Sequence, residues 1–324
     1  MSSLAQDVCF PAASRMKSRE VDKPWRMFES TRFASWSVDE RARQRSSGLV
    51  AASGAELDNV PDTKGRAISG DPVLPELTGA LARREFALAF QPKVNLRTRA
   101  YTGAEVLVRW HNRTIGNVSP SQFIPVAERH GLISGIGAWV LGKVIEQMAD
   151  LPNCVRCHSL AINVSAVQLR DPCFVPWLMA LLEEAQVCGT RIEIELTESV
   201  FAEDPHATGR RLAELRSKGI TITLDDFGTG YSALSHLRHF PVDVIKISPD
   251  FVSDLTADRA SGRLVGAVIA LAKSLDLLVV AEGIENDDQA ERLVELGCDI
   301  GQGYLFARPM GFGAFVDWVS TCRR

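Results

Sequence analysis

Seven places along this chain set a carboxylate, an amide or an amine in or at the end of a short apolar run: Glu105, Asn163, Glu195, the adjacent Asp225 and Asp226, Lys246, Glu282 and Gln302. Oxygen donors of this kind, carboxylates together with the amide oxygen of Asn163, select hard divalent ions such as Mg²⁺ or Mn²⁺. Acids gathered in one pocket would repel one another unless a cation neutralised them. The plain alternative is that each acid pairs with an Arg or Lys at the surface. That alternative is even for any one acid and weak for five on successive run ends. The chemistry therefore depends on whether the fold brings these positions together.

The apolar runs themselves suggest how. Residues 86–94 (FALAFQPKV) and 102–110 (TGAEVLVRW) read as two strands joined by a short turn at Arg97 and Thr98. So short a link forces an antiparallel pair, because a parallel crossover needs about a dozen residues or more. Ser119, Pro120 and Gln122 predict a capped helix start, Gly131 a stop, and residues 136–150 a second helix. Strands then alternate with helices: 160–165, 191–198, 220–226, 242–248, 277–282 and 298–304. Leu264, Val265, Val268, Ile269, Ala272 and Leu275 repeat near 3.6 and mark one connecting helix, while Asn286 with Gln289 caps another that Gly297 ends. The fold class expected is α/β, a TIM-like (β/α)8 barrel with an antiparallel first strand. In such a barrel the strand ends open onto one face, and the scattered polar residues converge there. An open doubly wound sheet is the alternative, but it would not gather polar ends from all its strands.

Residues 1–75 show no sustained period and are interrupted by Ser, Gly and Pro, so the expected organisation is a disordered N-terminal extension over 1–75 and a barrel domain over 76–324. An aromatic cluster in the extension, Trp25, Phe28, Phe33 and Trp36, is either a short partner-binding helix or part of a weakly ordered tail. A net charge of -4, with no basic run beyond Arg41, Arg43 and Arg45, leaves no footprint for duplex nucleic acid. There is no apolar stretch of 18 residues and no signal-peptide pattern in the first thirty, so no membrane span and a cytoplasmic location are expected. Seven cysteines without a regular framework suit reduced thiols. Cys154, Cys157 and His158 spell C-x-x-C-H, the signature of covalent haem attachment, but the cluster joins a helix to a strand and reads as a surface loop.

Side chains alternate along a strand, so Glu105, Leu107 and Arg109 share one face of theirs, and Val106 and Val108 the other. The segments EVLVRW from Glu105, Asn163-Val164-Ser165, Glu195-Leu196-Thr197-Glu198, DDFGTGYS from Asp225, Lys246-Ile247, AEGIE from Ala281 and Gln302-Gly303-Tyr304 together resemble the EAL-domain family. That family comprises bacterial phosphodiesterases that cut cyclic di-GMP to linear pGpG. The resemblance covers residues 77–320 in order and none of residues 1–75. It implies metal ligands at Glu105, Asn163, Glu195, Asp225, Asp226 and Glu282, holding two ions, Mg²⁺ or Mn²⁺. It further implies catalytic roles for Lys246, Glu282 and Gln302, and a loop-anchoring role for Glu198. Substrate contacts fall to Gln91, Leu107 and Arg109, and Glu285 is a supporting acid. A homodimer formed through the region after the DDFGTG loop is implied as well, and a regulatory partner is left unspecified.

The chain departs from the family pattern at three points. Val106 replaces the Ala of the family's name, on the face away from Glu105, where it bears on packing. Ser248 replaces an Asp two positions after the lysine. Asn112 and Arg113 stand where His-Pro is usual. These departures keep open a second function, a catalytically weak relative that binds cyclic di-GMP and acts through a protein partner. A barrel aldolase using Lys246 as a Schiff base is a third, but it needs a lowered lysine pKa, which a carboxylate cluster opposes.

Overall fold

A computed structural model describes residues 73–151, 158–201, 204–227, 240–255 and 259–321. The extension with its aromatic cluster, Cys154, Cys157 and the glycine-rich segment after Phe227 lie outside the described residues. Strands β1 (Phe86–Asn95) and β2 (Tyr101–Asn112) form the expected antiparallel hairpin, with Gln91 opposite Glu105 and Lys93 opposite Gly103. Asn95 builds the turn between them, its Oδ1 accepting from the backbone of Arg97 at 3.0 Å and of Thr98 at 2.9 Å.

A short strand that the sequence did not announce, β3 (Gly116–Val118), folds back on the end of β2. Asn112 organises that hairpin. Its Oδ1 accepts from the backbone of Thr114 and Ile115 at 2.8 and 2.9 Å, and its Nδ2 donates to Glu76 and Glu85 at 2.9 and 3.2 Å. A buried amide with all four bonds made explains why Asn is at home at this position.

The sheet continues in parallel through β4 (Ser159–Asn163), β5 (Ile192–Thr197), β6 (Thr221–Phe227), β7 (Val244–Ile247), β8 (Leu278–Ala281) and β9 (Ile300–Gly301). β9 then pairs antiparallel with β1, so eight strands close and only the first is reversed. Helices at Pro120–Arg129, Ile133–Asp150, Phe174–Glu184, Pro205–Ser217, Arg259–Ser274, Asp287–Leu296 and Phe312–Thr321 complete the α/β pattern. Alternation along β5 separates Ile192, Ile194 and Leu196, which join the apolar core, from Glu193 and Glu195, which do not. Each fully buried aliphatic side chain of this kind stabilises the fold by about 1.5–3 kcal/mol.

Several local expectations need correction. Ser119 does occupy the N-cap of Pro120–Arg129, but its hydroxyl meets Ser121 Oγ at 2.8 Å instead of capping the helix. In Arg259–Ser274 the buried stripe is Val265, Ile269 and Ala272, whereas Leu264 and Leu275 are exposed at its margins. The later strands are shorter than the apolar runs that suggested them. Ser248 lies beyond β7, at the N-cap of Pro249–Ser253, and does not continue the face of Lys246 as a strand residue. The Asn286–Gln289 capping box and the left-handed Gly297 terminus form as expected, with φ 89° at the glycine.

Candidate active site

Lys246 stands at the centre of the converging strand ends. Its Nζ lies 2.6 Å from Glu282 Oε1, 2.8 Å from Glu195 Oε2, 3.3 Å from Asp225 Oδ1 and 3.4 Å from Glu105 Oε2. Strands β2, β5 and β6 and the end of β8 each contribute one carboxylate to a single ammonium. Burial pushes that amine down, but the four acids together hold it well above the ordinary lysine value. A Schiff-base lysine needs the opposite shift, which four carboxylates around one ammonium oppose.

Glu105 is held on both oxygens. Oε1 accepts from Asn163 Nδ2 at 2.8 Å and Oε2 from Gln302 Nε2 at 2.7 Å. Burial acts to raise its pKa, but Lys246, Gln302 and Asn163 outweigh burial and hold the carboxyl at about 2. Glu282 is pushed the other way, to about 7, because burial and the charges of Glu105 and Asp225 outweigh Lys246. Glu195 is fully buried beside Glu105, and both effects raise it well above the carboxylate range.

Asp225 and Asp226 are neighbours on β6, so a regular strand would send them to opposite faces. The β6–β7 register breaks between Leu224 and Phe227, and Asp226 adopts φ 54°. Such a bulge re-aims side chains next to active sites, and the left-handed backbone costs on the order of 1–3 kcal/mol. Burial and the charge of Asp225 raise the Asp226 carboxyl.

Gln302 links the last strand to the first two. Its Nε2 also donates to Gln91 Oε1 at 3.0 Å, and Gln91 Nε2 in turn donates to the carbonyl of Ala307 at 3.2 Å. The glycine that follows is obligatory: a Cβ on Gly303 would lie 2.1 Å from the carbonyl oxygen of Ile284. Leu107 and Arg109 follow Glu105 along β2, both half-buried, and the Arg109 guanidinium donates to the Val108 carbonyl at 3.1 Å. Glu198 begins the helical turn Glu198–Phe201 directly after β5, and the loop it was expected to anchor lies outside the described residues.

Two charged residues at the site were not anticipated. Lys93 Nζ lies 2.6 Å from Glu193 Oε2, one layer below Glu195. Strand alternation carried the signal, since Lys93 is two residues from Gln91 and Glu193 two from Glu195. His158, the one described member of the C-x-x-C-H cluster, packs its ring edgewise on Tyr101 with centroids 4.8 Å apart.

The donor set fits a hard divalent ion. Glu105, Glu195, Asp225, Asp226 and Glu282 offer carboxylate oxygens and Asn163 an amide oxygen, and Gln302 Oε1 is a buried acceptor without a hydrogen-bond donor. Asn163 turns Nδ2 to two carboxylates, at 2.8 and 3.4 Å, and a half-turn of its amide offers Oδ1 instead. Among the described residues no three His, Cys, Asp or Glu side chains are already drawn together as a metal cage. The Lys246 ammonium stands between the acids and balances part of their charge.

Comparison with known proteins agrees with this architecture. The EAL domain family model matches residues 75–309. Cyclic di-GMP phosphodiesterase PA2567 of Pseudomonas aeruginosa is 39% identical over 248 residues, covering 76% of this chain and 42% of that protein. The bifunctional diguanylate cyclase/cyclic di-GMP phosphodiesterase MucR of the same organism is 38% identical over 239 residues, covering 74% and 35%. The chain thus spans less than half the length of these two curated relatives. The solved PaMucR phosphodiesterase in complex with c-di-GMP superposes with a TM-score of 0.71 at 36% identity, covering 75% of this chain and 99% of that one. With eight strands closed around one acidic cluster and the family pattern matched from end to end of the barrel, the chain belongs to the EAL domain family.

Proposed function

We propose that this chain hydrolyses cyclic di-GMP to linear pGpG, using two Mg²⁺ or Mn²⁺ ions held by Glu105, Asn163, Glu195, Asp225, Asp226 and Glu282. The observation that carries this reading is the meeting of four carboxylates, three from strands β2, β5 and β6 and one just past β8, on Lys246 Nζ, all within 3.4 Å. Surface ion pairing does not gather acids in this way. Divalent ions in such a site lower the pKa of water and neutralise a phosphodiester during in-line displacement.

The chain's own residues supply the rest. Gln302 and Asn163 orient Glu105 by hydrogen bonds to both of its oxygens. Lys246, its Nζ among the four carboxylates, serves as a positive charge for the developing oxyanion. Gln91, Leu107 and Arg109 lie beside Glu105 on the β1–β2 hairpin, where a dinucleotide would rest. Residues 76–324 form the catalytic barrel in this proposal, residues 1–75 are an extension to it, and the reaction takes place in the bacterial cytoplasm, where its substrate acts as a messenger.

One observation favours a second reading, binding without efficient turnover. Ser248, two residues after Lys246, is buried and brings no charge where the resembled family pattern has an acid. Purified protein incubated with cyclic di-GMP and Mn²⁺ or Mg²⁺ distinguishes the two. Formation of pGpG that EDTA stops supports hydrolysis, and retention of intact cyclic di-GMP on the protein supports binding alone.

A further inference from the structure

Beneath the acid cluster the barrel holds a second buried ion pair. Lys93 Nζ lies 2.6 Å from Glu193 Oε2 and 3.7 Å from Glu195 Oε1, and the three side chains are 4%, 6% and 0% exposed. Glu193 is itself fixed: its Oε1 accepts from Thr223 Oγ1 at 2.7 Å, and Ser159 Oγ lies 3.4 Å from its Oε2. Gly103, opposite Lys93 on β2, lets the two strands approach, for a Cβ there would lie 2.8 Å from the Ser159 carbonyl oxygen.

The consequence falls on Glu195, whose two oxygens have different surroundings. Oε1 has Lys93 as its cation, and Oε2 has Lys246 at 2.8 Å and Asn163 Nδ2 at 3.4 Å. The terminal torsion of a glutamate is broad, so a carboxylate held at one end only would sample many orientations. A buried pair that merely filled the barrel would do no better than apolar residues of the same volume, which are often as stabilising. This pair instead reaches from one charged layer into the next.

We propose that Lys93 is a positioning residue, which, braced by Glu193 and Thr223, holds one oxygen of Glu195 below so that the other is presented to the metal-binding cluster. The inference rests on the reading of that cluster as a metal site. Partners of metal ligands at this remove typically alter affinity or activity by about 10–100-fold when removed.

The test is Mn²⁺ titration of the full chain, following free Mn²⁺ by electron paramagnetic resonance, for the wild type and for Lys93→Met/Glu193→Gln. The double variant removes both charges at nearly constant volume. It should keep its circular dichroism and melting transition, bind Mn²⁺ about 10–100-fold more weakly, and regain turnover when Mn²⁺ is raised in proportion. A folded double variant that binds Mn²⁺ as tightly as the wild type overturns the inference and leaves the metal site standing. A wild type that binds no Mn²⁺ overturns both. Should the double variant not fold, Thr223→Val keeps both charges and removes only the bond that braces Glu193. Mn²⁺ affinity should again fall, and an unchanged affinity overturns the inference.

Discussion

Gln302 donates its Nε2 to Glu105 Oε2 at 2.7 Å, joining residues 197 positions apart and fastening the end of the last strand to the second. The same nitrogen bonds Gln91 Oε1 at 3.0 Å, so one amide sets both an acid of the cluster and a residue proposed to meet substrate. Gln302→Leu removes the donor, leaves Gln91 Oε1 unsatisfied at about 1–3 kcal/mol and leaves Glu105 Oε2 to Lys246 at 3.4 Å. The variant is expected to melt at lower temperature and to lose turnover. Paired thermal denaturation and steady-state rates check this; an active variant of unchanged stability would show the bond to be incidental.

Glu105 and Val106 are adjacent but face opposite ways. Glu105 meets Lys246, Asn163 and Gln302, whereas Val106 is 2% exposed within the apolar core. Glu105→Ala should abolish hydrolysis. Val106→Ala should keep turnover while costing roughly 1–3 kcal/mol of stability as a small cavity. Comparable loss of activity in both would mean that the strand phase at this position does not govern function.

This adjacency also shows what the sequence made legible. Period-two alternation and strand-end position were enough to bring Glu105, Glu195, Lys246 and Gln302 together, because a closed barrel leaves inward residues nowhere else to go. The short turn between 94 and 102 likewise required the reversed first strand. What stayed hidden depended on tertiary contacts. Lys93 and Glu193 went unread because only their pairing across the barrel marks them. The bulge that re-aims Asp226 has no residue signature beyond two adjacent acids. Ser248 was placed on a strand that ends one residue earlier, since Pro249 begins a short helix there. Asn112 had no reading until β3 supplied the turn that it closes.

The opposed shifts of Glu282 and Glu105 give a pH signature. Glu282 is held up to about 7 from an ordinary 4.5, so the native state binds the extra proton between those values. Its stabilising contribution is present below 4.5 and is lost as pH rises through about 7. Glu105, held at about 2, contributes above 4.5 and loses that contribution only as pH falls towards 2. Between about pH 5 and pH 8 the raised carboxyls, Glu282 with Glu195 and Asp226, act in the same direction. The melting temperature in EDTA should therefore fall across that range, and added Mn²⁺ should raise it more at the upper end, where Glu282 is ionised. A Mn²⁺-induced shift independent of pH would contradict this assignment.

Ser248 is 5% exposed at the N-cap of Pro249–Ser253, with no side-chain capping bond. An Asp there can accept from the helix amides and place a negative charge beside the Lys246 cluster, which a hydroxyl cannot do. Ser248→Asp is expected to raise turnover, by about tenfold or more if it acts as a partner of the metal ligands. Rates at saturating Mn²⁺ for both forms decide it; equal rates would make position 248 a spectator.

The central claim is that the carboxylates around Lys246 form a metal-dependent hydrolytic centre and not only a binding surface. The most direct measurement compares wild type and Glu105→Gln for pGpG production by chromatography, alongside binding of cyclic di-GMP, in Mn²⁺ and in EDTA. The account predicts Mn²⁺-dependent pGpG from the wild type, none in EDTA, and none from a folded Glu105→Gln protein. Wild-type protein that binds cyclic di-GMP yet yields no pGpG at any Mn²⁺ concentration would contradict it.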